Sequence, residues 1–312
     1  MKRILRLAPV AAFLLLAGCD FADLGDISRF QEEFHFNFDV QPNCRLSLET
    51  QNGAVEITGW DKNSVEITGT KFANSKQLLS EIRIDSHGAP DSVTVRTIVP
   101  PGHHFGAAGA RFTIHVPHQV TLDRITTSNA HIRVDGTVGD VRLKTSNASI
   151  HVTATQGRLE AETSNSGIEV GAHRGDTEVH TSNGNIQVEA EGGRFSADTS
   201  NSSIEARLKD PNVNDPVKLE SSNGHLSLIL DAGKLPDVKA TTSNSSIEIR
   251  LPANANARVD ATTSNSSISS DFEVTLSPGT RSKTRLEGVI GSGGASIRLG
   301  TSNGSIKITK GL

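Results

Sequence analysis

Tyrosine is absent from the 312 residues, tryptophan and methionine occur once each, and aromatic residues make up 4%. A globular enzyme of this length normally carries more ring mass in its core and pocket walls, so the shortage weighs against an enclosed small-molecule site. Cysteine occurs only at positions 19 and 44. Formal charge is −4, and no basic cluster follows the first residues. That leaves out the concentrated positive footprint that nucleic acid demands. No apolar run reaches the ~20 residues needed to cross a bilayer as a helix.

The longest apolar run, Leu7 to Leu16, follows Lys2, Arg3 and Arg6 and breaks at Ala17-Gly18-Cys19. A basic start, a short greasy core and small residues describe an export signal over residues 1–18. The ending Leu16-Ala17-Gly18-Cys19 resembles the bacterial lipobox. The resemblance implies that Cys19 is acylated and becomes the first mature residue, anchored in a membrane by more than one chain, as stable attachment requires. Asp20 resembles the enteric signal for retention in the inner membrane. With Cys19 so committed, Cys44 has no partner within the chain and reads as a small buried hydrophobe.

What the chain has in quantity is a polar phrase. TSNASIHV, TSNSGIEV, TSNGNIQV and TSNSSIEA recur between Thr145 and Ala206. Nine asparagines mark the copies: Asn129, Asn147, Asn165, Asn183, Asn201, Asn223, Asn244, Asn265 and Asn303. The first four steps are 18 residues, followed by 22, 21, 21 and 38. Three places after each asparagine stands Ile or Leu, and five places after, in most copies, another aliphatic, with a polar residue between. This period-two alternation marks a half-buried strand. A second strand precedes the asparagine, and in the 18-residue copies Gly139, Gly157, Gly175 or Gly193 marks the opposite corner.

One such unit cannot bury its own apolar face, whereas stacked units can. The spacing therefore predicts an all-β fold, a parallel β-solenoid of about nine to ten coils at ~4.8 Å per coil. Aligned asparagines, which both donate and accept, would form a ladder down the Ser-Asn corner. The longer steps place DPNVNDP, DAGKLP and LPANAN as loops at the glycine corner. A divergent coil is expected at Leu46, Leu48, Thr50, Asn52, Val55 and Ile57, which occupy the same six offsets. The division expected is a tether over 19–33, an N-terminal β region over 34–120 and the regular solenoid over 121–312. RLEGVIGSGGASIRLGTSNGSIKI interrupts the period with a Gly-rich turn and would act as a terminal capping hairpin.

The line NGAVEITGWDKNSVEITGT, then FTIHVP, then the TSN phrases, resembles the bacterial envelope domain labelled "putative adhesin", from about Phe36 to Leu312. The resemblance implies a β-solenoid with TSNG-type repeats. It carries no catalytic residues, because that family has no agreed activity.

His131 and His225 share a column but stand five coils apart, ~24 Å, too far for one ion. His103-His104 lies in the loop PPGHHFGAAG and reads as a solvated turn. The outward columns mix Glu, Arg, Ser and Lys without the recurring acid pair that glycoside cleavage uses. No residue is assigned a catalytic, cofactor-binding or metal-binding role. The expectation is a lipid-anchored envelope interaction module whose partner is a membrane through its lipid and an envelope protein or glycan. The alternatives are a self-associating scaffold or envelope-stress component, and a glycan-active solenoid enzyme.

Overall fold

The computed structural model describes residues 30–101 and 108–311. The export signal, Cys19, Asp20 and His103-His104 lie outside the described residues. The chain opens with β1 (Phe30–Asp39) and lays a first coil from β2 (Cys44–Glu49) and β3 (Val55–Trp60). It continues through β4 (Ser64–Ala73), α1 (Lys76–Glu81), β5 (Arg83–Ala89), β6 (Ser92–Ile98) and β7 (Ala108–Pro117). Four coils follow: β8 (Val120–Thr126) with β9 (Ile132–Asp135), β10 (Val141–Lys144) with β11 (Ile150–Thr153), β12 (Leu159–Glu162) with β13 (Ile168–Arg174), and β14 (Thr177–Thr181) with β15 (Ile186–Glu191). Four more are β16 (Phe195–Thr199) with β17 (Ile204–Lys209), β18 (Val217–Ser221) with β19 (Leu226–Asp231), β20 (Val238–Thr241) with β21 (Ile247–Leu251), and β22 (Ala257–Thr262) with β23 (Ile268–Ser270). The chain ends in β24 (Val274–Ser282), β25 (Arg285–Ile290), β26 (Ala295–Gly300) and β27 (Ile306–Lys310).

These strands form two facing, mostly parallel sheets, and the fold is a parallel β-solenoid. Pairing is in register: Ile150 lies between Ile132 and Ile168, and Ile186 between Ile168 and Ile204. The aliphatic columns of both sheets meet in one continuous core in which Ile132, Ile150 and Ile204 are fully enclosed. Burial of each such side chain contributes about 1.5–3 kcal/mol. At the opposite corner Gly157 has φ +130° and Gly175 +127°, and a β-carbon on Gly157 would strike the Gly139 carbonyl. Only glycine accepts both constraints.

Order in space departs from order in sequence at both ends. β6 and β7 form a layer outside the first coil, paired in parallel to β2 and β3. This layer brings the stack to eleven, above the nine to ten that the phrase counts, because it bears no Ser-Asn copy. At the far end β26 and β27 do not cap the rod. They lie between the coil β20/β21 and the coil β22/β23, parallel to both. The cap is instead the β24–β25 hairpin, laid antiparallel on β22. Its turn accepts hydrogen bonds from Thr263 N at Thr284 O and from Ile268 N at Lys283 O.

The N-terminal end is closed the same way, with antiparallel β4 and β1 on β7 and antiparallel β5 on β6. β1 begins at Phe30, so the folded region includes the last four residues of the expected tether. Its Phe34, Phe36 and Phe38 are partly buried against the core, and Phe34 meets Phe112 edge-on at 5.4 Å. Much of the chain's scarce aromatic mass thus covers this end of the rod, where no further coil shields the core. Antiparallel strands at the N-terminal end of both sheets, and at the far end of the sheet that contains β22, also occupy edge bonds that would otherwise template aggregation.

Ile186 is buried and its neighbour Gln187 is exposed. Ile186→Asp should therefore cost several kcal/mol, because a charge would enter the core without a partner. Gln187→Asp should stay within about 0.5 kcal/mol, as surface changes usually do. Urea unfolding midpoints of the two variants measure the difference; equal midpoints would reverse the assigned faces.

Candidate interaction surface along the Ser-Asn corner

Each residue of the Thr-Ser-Asn phrase makes its own bond to the neighbouring coil. Asn129 donates from Nδ2 to Oδ1 of Asn52 at 2.7 Å, Asn147 to Asn129 at 2.7 Å and Asn165 to Asn147 at 2.8 Å. Asn183 donates to Asn165 at 3.0 Å, Asn201 to Asn183 at 2.8 Å, Asn223 to Asn201 at 2.8 Å and Asn244 to Asn223 at 2.7 Å. The last two rungs are out of sequence order: Asn303 donates to Asn244 at 2.8 Å, and Asn265 to Asn303 at 2.7 Å. The donor end closes on the protein itself, where Asn52 Nδ2 reaches Ala108 O at 2.9 Å.

The serine carbonyls carry the backbone. Ser128 O accepts from both Ser146 N and Asn147 N, and Ser146 O accepts from Ser164 N and Asn165 N. The threonine hydroxyls are buried and link coils inside the corner. Thr145 Oγ1 donates to Ala130 O at 3.0 Å and Thr163 Oγ1 to Ala148 O at 2.9 Å. Thr181 Oγ1 donates to Ser166 O at 2.9 Å and accepts from Gly184 N at 3.3 Å within its own turn. A valine there would fit the volume and leave these amide groups unpaired, at about 1–3 kcal/mol each.

The structure thus brings together all nine repeat asparagines and adds Asn52 as a tenth. Asn52 stands at the repeat offset in the divergent coil, so its signal was present in the spacing. Position 303 could not be placed between 244 and 265 from spacing alone. The solvent side of this corner is uniform. From the residue before each asparagine to the second after it, the ten coils contain no Asp, Glu, Lys or Arg. Side chains there are mostly Ser, Asn, Gly and Ala, with His131 and His225 interspersed. Asn147, Asn165, Asn183 and Asn201 are exposed. With neighbours ~4.8 Å apart, the nine exposed asparagines form an uncharged amide and hydroxyl ridge roughly 40 Å long, and Asn52 is buried at its end.

The sheet faces beside the ridge are charged, and the charges pair across coils. Arg142 contacts Glu160 at 3.1 Å and Asp123 at 3.4 Å, Lys144 contacts Glu162 at 2.8 Å, and Lys307 contacts Glu248 at 3.4 Å. His151 meets Glu169 at 3.0 Å and His180 meets Asp198 at 2.8 Å. Exposed pairs contribute at most about 1 kcal/mol each. Their larger effect is to leave the faces without a field of one sign.

Among the described residues the histidines do not converge. His131 lies 3.7 Å from Glu56, while His225 Nδ1 lies 3.0 Å from Ser246 O. Among the described residues, no three His, Cys, Asp or Glu side chains gather as metal ligands. A cleft of ≈ 460 Å³ near the first coil is lined by Glu49, Arg96 and Thr126 among others. Its carboxylate is held by Arg96 at 3.3 Å, away from the paired-acid arrangement of glycoside cleavage. Cys44 is buried, and burial pushes its thiol above the ordinary range, which keeps it protonated.

His173 is the buried titratable group that spacing did not single out. It is 1% exposed, with Nε2 3.3 Å from Asp176 O and Nδ1 2.8 Å from Thr155 Oγ1. A carbonyl only accepts, so Nε2 carries the proton and Nδ1 accepts from the threonine hydroxyl. Burial lowers its pKa, against smaller opposing effects of the surrounding backbone and of Asp176.

Residues 44–309 match the family model described as Toastrack DUF4097. Similar solved structures include a "putative cell adhesion protein" from Clostridium sporogenes, at 10% identity and TM-score 0.22, covering 90% of this chain and 100% of that one. A "putative adhesin" from Bacteroides fragilis is 10% identical with TM-score 0.37, covering 89% and 97%. Another from Parabacteroides merdae is 9% identical with TM-score 0.39, covering 89% and 96%. No curated protein matches the chain.

Two outcomes follow from this geometry. Asn183→Asp keeps the shape but cannot donate to Asn165 Oδ1, so it should lower stability by about 1–2 kcal/mol, read as a drop in melting temperature. An unchanged melting temperature would show that the rung contributes nothing. For His173, the unfolded state takes up a proton near pH 6.5 while the folded site resists it, so stability falls as pH drops through that value. Melting curves from pH 7.5 to 5 should show a smaller acid loss for His173→Gln than for the unaltered chain. Parallel curves would remove His173 as the cause.

Proposed function

The chain belongs to the Toastrack DUF4097 family, and on that premise we propose that it is a non-enzymatic interaction module of the cell envelope, lipid-anchored through Cys19. The observation that carries this reading is the Ser-Asn ridge. It is long and uncharged, built from small side chains, and tied from coil to coil by the asparagine bonds. Such a surface loses little side-chain entropy when covered, which favours binding over a repeated contact. It suits an extended partner, a glycan or an extended segment of an envelope protein, that meets the same amide and hydroxyl pair at each rung. The face carboxylates support the same reading: Glu160 and Glu162 each pair with a cation of the neighbouring coil, Arg142 and Lys144. The lipobox-like Leu16-Ala17-Gly18-Cys19 supports attachment to a membrane, with Asp20 favouring the inner one.

Crosslinking in cells followed by mass spectrometry tests the module. Adducts between ridge residues and one envelope component are expected, and self-adducts alone would move the role to a scaffold. Cys19→Ala should shift the protein from the membrane fraction to the soluble one. Retention in membranes would overturn lipid anchoring without touching the ridge.

A further inference from the structure

The intercalated layer of β26 and β27 fills a slot between two coils made earlier in the chain, and both walls of that slot are ordinary coil faces. Ile297 pairs with Val238 on one side and Val259 on the other, and Ile306 with Ile247 and Ile268. The rungs into and out of the layer, at 2.8 and 2.7 Å, are as short as those between consecutive coils. Thr301 Oγ1 reaches Ser245 O at 2.9 Å, and Thr263 Oγ1 reaches Gly304 O at 2.8 Å, again the ordinary pattern. Nothing in these contacts depends on the layer belonging to the same chain as its slot.

Upstream, the layer is joined to the molecule by one tight crossover. Gly291–Gly294 carry the chain from β25 on one side of β22 to β26 on the other. Gly291, Gly293 and Gly294 have φ of +60°, +79° and +143°. The bend wraps the end of β22 and is pinned there: Ser292 donates from N and Oγ to Asn256 Oδ1 at 2.8 and 3.0 Å. A glycine-rich connection held in a sharp bend can extend at low cost, which makes it a hinge for exchange.

We infer that this C-terminal layer is an exchangeable element, and that its alternative acceptor is the identical slot of a second copy of this chain. Reciprocal insertion gives a closed two-fold dimer in which each slot is filled by the partner's layer. The strand pairings, asparagine rungs and threonine bonds of the layer are kept, and only the Ser292–Asn256 pin is released. Withdrawal is eased because the slot walls fit one another. Asn244 and Asn265 are 21 residues apart, the same step that separates the bonded Asn223 and Asn244. A chain that has released its layer can therefore close β21 onto β23 in register while it waits for the partner. The inference rests on the slot and hinge, independently of what the ridge binds.

The test uses two full-length single variants, Glu248→Cys and Lys307→Cys. These positions face each other across β21 and β27, 3.4 Å apart as an ion pair in the intact chain. Each variant alone lacks one partner. After the two are mixed, unfolded in urea, refolded together at high concentration and oxidised, a 248–307 disulfide between chains forms only if one chain's layer occupies the other's slot. A second mixture, Glu205→Cys with Ser227→Cys, joins neighbouring coils that are not intercalated. Mass-spectrometric mapping should find the 248–307 link several-fold above the 205–227 link, rising with protein concentration and rising further when Asn256→Ala is added to both chains. A 248–307 yield no greater than the 205–227 yield would overturn the inference.

Discussion

Stacking in register is the constraint on which the rest of the molecule depends. Each coil leaves its backbone groups and its apolar edge open until another coil lies on it at strand spacing. The corner threonine, serine and asparagine each make that closure, one from inside the corner, one through the backbone and one from the solvent side. The aliphatic columns supply most of the free energy, and the corner supplies the geometry. A column of leucines and isoleucines tolerates sliding, whereas an amide that must meet both its neighbours does not.

The same requirement explains how far the architecture could be read in advance. Inward Ile and outward polar residues alternate with a fixed offset from each asparagine, so the strands, their faces and both corners were legible. The order of coils was not. Asn303 sits beside Asn244 because any coil surface accepts any other, and a repeat that makes its units alike erases the record of which touches which. The layer of β6 and β7 was hidden for the opposite reason, since it stacks without the phrase. β1 was partly legible, because Phe34, Phe36 and Phe38 alternate, yet nothing local says that their rings close the end of a rod. His173 was illegible as a buried group, because in its column the neighbouring coil carries Thr155, a polar residue that reads as surface.

Between its two capped ends the rod divides its surface by chemistry. Charges lie on the sheet faces and cancel across coils, loops collect at the glycine corner, and the Ser-Asn corner is left neutral and smooth. The division follows from packing. A long or charged side chain at the corner would have to stand beside a copy of itself one coil away, and like charges at that spacing repel. Neutral small residues satisfy the stack and leave a smooth polar surface along its length.

The asparagine ladder has a direction. Every amide gives its hydrogen toward the end closed by β1 and presents its oxygen toward the end closed by the β24–β25 hairpin. Aligned amide dipoles add, so the ridge distinguishes head from tail along its whole length. A linear molecule lying on it would find its two orientations unequal in energy and settle in one, which makes the rod a one-way track.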